Sequence, residues 1–194
     1  MRDNSKPKGQ ELGWQLLHTQ RLYQSQWFNL RQDRLTLPNS EQTTYTYVEH
    51  PGSVFVVPVT AQREFFLLRS YRYTIDNWCW EVPAGGLGDK SGLPLEEVAR
   101  QELAEEIGGT SSRLEYLGWY YMANGFAELK NHFFVARSII LNQQCQREIT
   151  EEMEIERIQL FPLEEVLQMV YSGAINDGES AFAVLLAIAQ LAQG

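Results

Sequence analysis

The sequence predicts an α+β protein, an α/β/α sandwich in which a mixed sheet has helices on its faces and follows N-terminal antiparallel strands. Two observations support this fold class. Residues 53–59 are almost continuously apolar, as expected of a strand that is buried on both faces. Residues 180–191 are rich in Ala and Leu, the composition of a buried helix, and Asp177 or Ser180 is suited to cap it.

Short segments that mix β-branched, aromatic and polar residues characterise the N-terminal part. Residues 14–17, 23–37 and 43–48 predict two or three antiparallel strands, with a turn near Pro38 and Asn39. Further strands are expected at residues 63–68, 78–82, 114–122, 132–136 and 154–160, and helices at about 94–107 and 162–171.

Composition limits the function classes. The chain has 194 residues, 44% of them hydrophobic, and a net charge of −9, which argues against binding to nucleic acid or to an anionic membrane. No apolar run approaches the length of about 20 residues needed to cross a bilayer. The N-terminus has no apolar signal core and the two cysteines lack ligand-like spacing, so the expected location is the cytoplasm.

An acidic helix after a glycine-rich loop is the main candidate for chemistry. Glu102, Glu105 and Glu106 lie three and four residues apart, so Glu102 can face both other carboxylates. Like charges at this spacing destabilise a helix unless a cation lies between them, and a hard divalent cation suits oxygen ligands. The alternative is a solvated acidic face of a surface helix.

These residues resemble the Nudix hydrolase family, whose signature ends in Arg-Glu-U-x-Glu-Glu-x-Gly-U, where U is a bulky aliphatic residue. The matching residues are Ala84, Gly85, Glu102, Leu103, Glu105, Glu106 and Gly108. Other positions depart from the signature: the loop after Gly85 is longer, Leu93 stands for the first Glu, Gln101 for the Arg and Gly109 for an aliphatic residue. The uncharged Gln101 would hold the acidic cluster less firmly than the Arg of the family.

Beyond the signature, the resemblance covers roughly residues 14–193 and points to the branch similar to ADP-ribose pyrophosphatases. Its marks are an Arg-containing strand followed by Glu-Val-Pro-Ala-Gly at residues 81–85. A Ser-Pro-Gly-like turn of that branch is replaced by Ala-Asn-Gly at residues 123–125. Residues 1–12 are polar, with Lys, Pro and Gly, and are expected to form a mobile tail. The resemblance implies N-terminal strands at 13–50 that form a homodimer, and a Nudix domain at 51–194.

The resemblance also implies a metal site and a general base. Glu102 and Glu106 would bind Mg²⁺, or alternatively Mn²⁺, together with the backbone carbonyl of Ala84, and Glu105 would support them. Glu152, or failing that Glu151, would activate the attacking water. The alternative for these two residues is an acidic loop that is merely solvated.

Four further residues are expected to bind the substrate, a nucleoside diphosphate compound. Arg72 would contact a phosphate, because a guanidinium suits bidentate binding to phosphate oxygens, or else it forms a surface salt bridge. Glu81 would bind the nucleotide or position the metal site, or else it has a structural role at the end of a strand. Trp27 and Phe28 would stack on adenine, or else belong to a core or an interface.

The expected reaction is Mg²⁺-dependent hydrolysis of a diphosphate linkage, with ADP-ribose or an ADP-sugar as substrate. Two alternatives remain open at the level of sequence. The first is a Nudix-fold binding or regulatory module that has lost catalysis, because Leu93, Gln101 and the longer loop depart from the signature. The second is a Nudix enzyme that acts on dinucleoside polyphosphates.

Overall fold

The strands of this computed structural model form sheets of four, seven and two strands within residues 6–90, 92–141 and 153–193, the part of the chain that the structure describes. The helices are α1 (Pro7–Glu11), α2 (Leu95–Ile107), α3 (Leu163–Ser172) and α4 (Gly178–Leu191). The strands are β1 (Gln15–Gln24), β2 (Asn29–Thr36), β3 (Gln42–Glu49), β4 (Ser53–Val59), β5 (Glu64–Arg72), β6 (Asn77–Glu81), β7 (Ala84–Gly86), β8 (Gly109–Thr110), β9 (Arg113–Tyr121), β10 (Ala127–Glu128), β11 (Lys130–Arg137), β12 (Ile140–Leu141) and β13 (Ile155–Pro162).

The chain divides into two units. The first contains the described residues up to Pro51 together with Ala123–Leu129, and the second contains Gly52–Met122 and the described residues from Lys130 onwards. Among the described residues, no helix is both long and apolar enough to cross a membrane.

The first unit is built on the four-stranded sheet, in the order β1-β2-β3-β10. Strands β1, β2 and β3 are antiparallel, which confirms the expected N-terminal antiparallel sheet, and β10 adds a parallel edge. Residues 23–37 were expected to form one strand segment, but a tight turn divides them. The hydroxyl of Ser25 accepts hydrogen bonds from the backbone N–H groups of Trp27 and Phe28 there, at 3.2 and 3.0 Å.

The second unit is built on the seven-stranded sheet. Its main path is β13-β5-β4-β11-β9, with β6 paired to β5 and β7 paired to β4. Strands β4 and β11 run parallel, whereas β5 and β9 are antiparallel to their neighbours in this path. The sheet is therefore mixed, as the sequence predicts.

Helices cover both faces of this sheet because the apolar side chains of β4 alternate between two cores. Phe55, Val57 and Val59 belong to one core, which also contains Val166 of α3 and Ala183, Val184 and Ala187 of α4. Val54 and Val56 belong to the other core, which contains Val98, Ala99, Leu103 and Ile107 of α2. The α/β/α sandwich is confirmed.

Local signals fix the ends of the two helices that border the site. Helix α2 follows Pro94 and ends at Gly108, whose φ of 63° is the left-handed conformation that glycine adopts without strain. Helix α4 is capped by Asp177, whose carboxylate accepts a hydrogen bond of 2.7 Å from the backbone N–H of Ser180. The hydroxyl of Ser180 accepts another of 3.1 Å from the backbone of Val82, just after β6.

Candidate active site

Helix α2 buries two of its three signature carboxylates. Glu102 and Glu106 are 2% and 8% exposed, whereas the side chain of Glu105 is 40% exposed. Residues four apart lie on one helical face, and here that face is the one that also buries Val98 and Leu103. Because an isolated buried carboxylate is costly, these two acids require cationic or hydrogen-bonding partners.

The backbone of β7 lies directly against both buried carboxylates. The N–H of Ala84 donates a hydrogen bond of 3.0 Å to Oε2 of Glu106. A Cβ atom at Gly85 would overlap the carboxylate of Glu102, so only glycine allows this approach. The structure thus brings together Ala84, Glu102 and Glu106, the three residues that the sequence selects as metal ligands.

A lysine from the loop between β7 and α2 meets the same cluster. The ammonium of Lys90 forms an ion pair with Oε1 of Glu102 and a second one of 3.3 Å with Oε2 of Glu105. Burial lowers the pKa of Lys90, but the bonds to the two glutamates outweigh it, so the pKa lies above its usual value. Lys90 thus places one positive charge between the carboxylates of Glu102 and Glu105.

Arg72 and Glu81 form a bonded pair where β5 ends beside β6. Nε of Arg72 donates to both carboxylate oxygens of Glu81 at 2.8 and 3.0 Å, and Nη2 donates to Oε2 at 2.5 Å. Nη1 lies 3.9 Å from Glu154. The bonds to Glu81 raise the pKa of the guanidinium, so Arg72 carries its charge at every physiological pH. Its side chain is 47% exposed and hence accessible.

A cavity of about 470 Å³ lies beside this pair. It is lined by the ends of β4 to β7 and by the start of α4, namely Ser53, Phe55, Arg72, Thr74, Ile75, Cys79, Glu81, Val82, Ala84, Gly85, Gly86, Asn176, Asp177, Glu179 and Ser180. This volume is in the range of small-molecule sites. The backbone of β7 that Glu102 and Glu106 contact therefore forms one wall of the cavity, and the guanidinium of Arg72 also lines it.

The α4 wall of the cavity contributes acids that the sequence analysis did not select as site residues. Burial and the nearby Asp177 raise the pKa of Glu179, which accepts a hydrogen bond of 3.2 Å from the amide of Asn131 on β11. Sequence reasoning identified Asp177 only as a helix cap. Its place at the start of a helix was a usable signal, because helix N-termini often form ligand sites.

The donor atoms of the described residues decide whether a metal ion fits this site. They contain no group of three or more His, Cys, Asp or Glu side chains close enough to hold a metal ion. Mg²⁺, however, uses only one or two carboxylates and completes its shell with water and substrate oxygens. The buried carboxylates of Glu102 and Glu106, which both lie against the backbone of β7, supply the oxygen donors that such a cation needs.

The remaining selected residues lie elsewhere. Trp27 and Phe28 lie in the first unit, in the turn between β1 and β2 and not in a strand, and are 58% and 39% exposed. Exposure of this size is inconsistent with a buried core position. Glu151 and Glu152 lie outside the described residues.

Comparison with known proteins assigns the chain. A family model described as the NUDIX domain matches residues 49–181. The chain belongs to the Nudix hydrolase family. A second model, the nucleoside diphosphate sugar hydrolase N-terminal domain, matches residues 14–48. Nudix hydrolases of this kind act on nucleoside diphosphate derivatives and generally use divalent metal ions.

Several relatives match most of this Nudix chain. An ADP-ribose pyrophosphatase of Bacillus subtilis (strain 168) is 28% identical over 165 residues, 85% of this chain and 87% of the relative. An ADP-ribose pyrophosphatase of Mycobacterium tuberculosis is 28% identical, over 90% of this chain and 83% of the relative. The methanol dehydrogenase activator of Bacillus methanolicus is 27% identical, over 87% of this chain and 89% of the relative. A solved structure of an ADP compounds hydrolase superposes with a TM-score of 0.79 at 20% sequence identity. The superposition covers 93% of this chain and 96% of the other.

Proposed function

We propose that this Nudix hydrolase cleaves the diphosphate linkage of a nucleoside diphosphate joined to a second moiety, with Mg²⁺ as cofactor. The substrate is ADP-ribose or an ADP-sugar. Water adds to one phosphorus atom and the bridging oxygen leaves with the other phosphate, which gives a nucleoside monophosphate and a phosphorylated remainder. Two of the relatives are ADP-ribose pyrophosphatases.

One observation carries the proposal: two buried carboxylates contact a short strand, β7, and this strand lines the same cavity as an accessible guanidinium. Glu102 and Glu106 touch the backbone of β7, and β7 and Arg72 line the same space. A diphosphate is dianionic, so it requires positive charge on each side to enter a protein of net charge −9. Arg72 supplies such charge on one side, and the acids of α2 can hold a cation on the other.

In this proposal Glu102, Glu106 and the carbonyl of Ala84 hold the metal. When bound, Mg²⁺ would neutralise phosphate oxygens and lower the pKa of a bound water. The N–H of Ala84 orients Glu106, and Gly85 leaves space for Glu102. Glu105 acts from the exposed side of α2 as a support for the two ligands.

The remaining roles belong to Arg72, Glu81 and the acidic loop. Arg72 binds a phosphate through the edge of its guanidinium that is not bonded to Glu81. The hydrogen bonds to Glu81 fix the orientation of the guanidinium. Glu152, or alternatively Glu151, takes the proton of the attacking water. Trp27 or Phe28 supplies an aromatic face for the adenine.

The test is hydrolysis of a panel of nucleoside diphosphate compounds with Mg²⁺, read out by chromatography of the products. We expect release of AMP from ADP-ribose or an ADP-sugar, and roughly a hundredfold loss of kcat for Glu106→Gln. Glu97→Gln, an exposed acid in the first turn of α2, is the matched control and should retain activity. No turnover of any compound in the panel would overturn the proposal.

A rival is a binding or regulatory module, favoured by the contact of Lys90 with Glu102 and by the uncharged Gln101. It predicts tight nucleotide binding without turnover, and binding that Glu106→Gln does not change. The second rival is an enzyme that acts on dinucleoside polyphosphates. Its products distinguish it from the proposed enzyme, because both products of its reaction would be nucleotides.

We further propose a homodimer formed through the N-terminal strands, residues 13–50. Strand β1 lies at the edge of its sheet and exposes Leu16, Leu17, Leu22 and Tyr23 by 45–53%. An apolar edge strand invites pairing with a second chain. Sedimentation at micromolar concentration should give a dimer, and a clean monomer would contradict it.

A further inference from the structure

Lys90 lies in the loop that departs from the family signature. Its side chain is 19% exposed, and its ammonium bridges Glu102 and Glu105, which lie three residues apart on α2. An ammonium on a flexible four-carbon stem can leave such a position by rotation of its side chain.

Neighbouring cations do not take this place. Position 101, where the signature has an arginine, holds Gln101, and an amide brings no charge. The preceding residue, Arg100, is bonded elsewhere: its Nη1 donates a hydrogen bond of 2.6 Å to the carbonyl oxygen of Ser111. Lys90 therefore supplies from the loop a positive charge that neither Arg100 nor Gln101 supplies to Glu102.

We propose that Lys90 is an internal counter-ion that forms an ion pair with Glu102 when metal is absent. By competing with the divalent cation for this carboxylate, Lys90 sets the metal affinity of the site. The inference rests on the proposed function, because it takes Glu102 as a metal ligand. Two cations at one carboxylate repel each other, so the ammonium must leave Oε1 of Glu102 before a metal ion can bind there.

This competition predicts two effects of opposite sign. Lys90→Met keeps most of the apolar stem but removes the charge. The metal-free variant should unfold at a lower temperature than the wild type, because Glu102 loses a partner while it stays buried. The same variant should bind Mn²⁺ about tenfold more tightly, since the lost ion pair no longer opposes the metal. A residue with a purely structural role would lower stability without improving metal binding.

The experiment measures Mn²⁺ binding by electron paramagnetic resonance and by the metal-induced rise in melting temperature, on the full chain. Lys90→Gln is a second neutral variant, in case the methionine disturbs folding. Lys90→Arg keeps the charge and should keep the affinity of the wild type. Lys8→Met is the matched control, because it removes an exposed lysine that pairs with Glu11 at 2.9 Å. It should leave Mn²⁺ affinity unchanged.

The outcomes separate this inference from the proposed function. Tighter binding by both neutral variants, with Lys90→Arg unchanged, supports it. Unchanged or weaker binding by the neutral variants overturns it, and the proposed function survives if the wild type still binds Mn²⁺ and hydrolyses the panel. A wild type that neither binds metal nor hydrolyses any compound overturns both.

Discussion

The two units each bury charged side chains, but they neutralise them differently. In the N-terminal sheet, Arg31, Asp33 and Glu49 are 2%, 4% and 8% exposed, and Arg31 bonds to Asp33 at 2.8 Å and to Glu49 at 3.1 Å. Near the cavity, Glu102 and Glu106 are buried as deeply. The partners of these carboxylates include a loop lysine for Glu102 and a backbone N–H for Glu106.

The difference indicates what each set of charges is for. Asp33 also accepts hydrogen bonds from Thr19 and Tyr47, so its partners come from all three antiparallel strands of one sheet. Those partners are fixed by strand register and cannot be exchanged. Lys90 instead reaches α2 from a loop, and a loop side chain can be replaced by a ligand. The first network stabilises the fold, and the second cluster is suited to binding.

Breaking the N-terminal network should have the largest effect. Arg31→Met leaves Asp33 and Glu49 buried without their common cation, which should lower the free energy of unfolding by about 3–5 kcal/mol. Chemical denaturation measures this loss. Arg34→Met, an exposed arginine on the same strand, is the control and should change stability little. If both variants lost the same small amount, the network would not be a structural one.

Adding a methyl group at Gly85 should have the next largest effect on stability. Gly85→Ala places a Cβ atom in the carboxylate of Glu102, so we expect a loss of about 1–3 kcal/mol in stability from overpacking. Gly86→Ala is the matched control, because a Cβ atom at Gly86 meets nothing within 4 Å. Equal melting temperatures of the two variants would show that the contact between Gly85 and Glu102 is not tight in solution.

Arg72→Lys should affect substrate binding more than folding. The ammonium keeps the charge near Glu81 but cannot contact a phosphate in a bidentate manner, so KM should rise about tenfold, equivalent to ~1.4 kcal/mol. Steady-state kinetics with the active substrate of the panel measures it, alongside the melting temperature. An unchanged KM would mean that Arg72 serves only its ion pair with Glu81.

The smallest effects are expected in the dependence of stability on pH, and they should have opposite signs in the two units. Burial alone would raise the pKa of Asp33, but hydrogen bonds from Thr19, Arg31 and Tyr47 hold it below its usual value of 3.8. Its contribution to stability is therefore lost as pH falls through the lowered pKa. Asp33→Asn should remove this part of the acid sensitivity of unfolding.

Glu179 behaves in the reverse way. Burial and Asp177 raise its pKa above the usual 4.5, so its protonated form is favoured by folding and its contribution is lost as pH rises through the raised pKa. Glu179→Gln should flatten the fall in stability above pH 4.5. Unfolding curves at several pH values test both variants, and slopes of the same sign would contradict the comparison.

Much of the fold could be predicted from local sequence signals. The apolar run at residues 53–59 became β4, and Pro94 and Gly108 mark the ends of α2. Signals failed where a turn depends on one side chain, as at Ser25, or where strands have two or three residues, as in β7 and β10. Such short strands form because a neighbouring strand offers hydrogen bonds, and this is not visible in local sequence.

The sequence by itself determined the family, the acidic motif on α2 and the two core faces of β4, because periodicity and spacing are local properties. Only the tertiary structure decided how the charges are paired. Lys90 meets Glu102 across 12 residues, and Arg31 meets Glu49 across 18. Such partners depend on the path of loops and the register of strands, and these follow from packing of the whole unit.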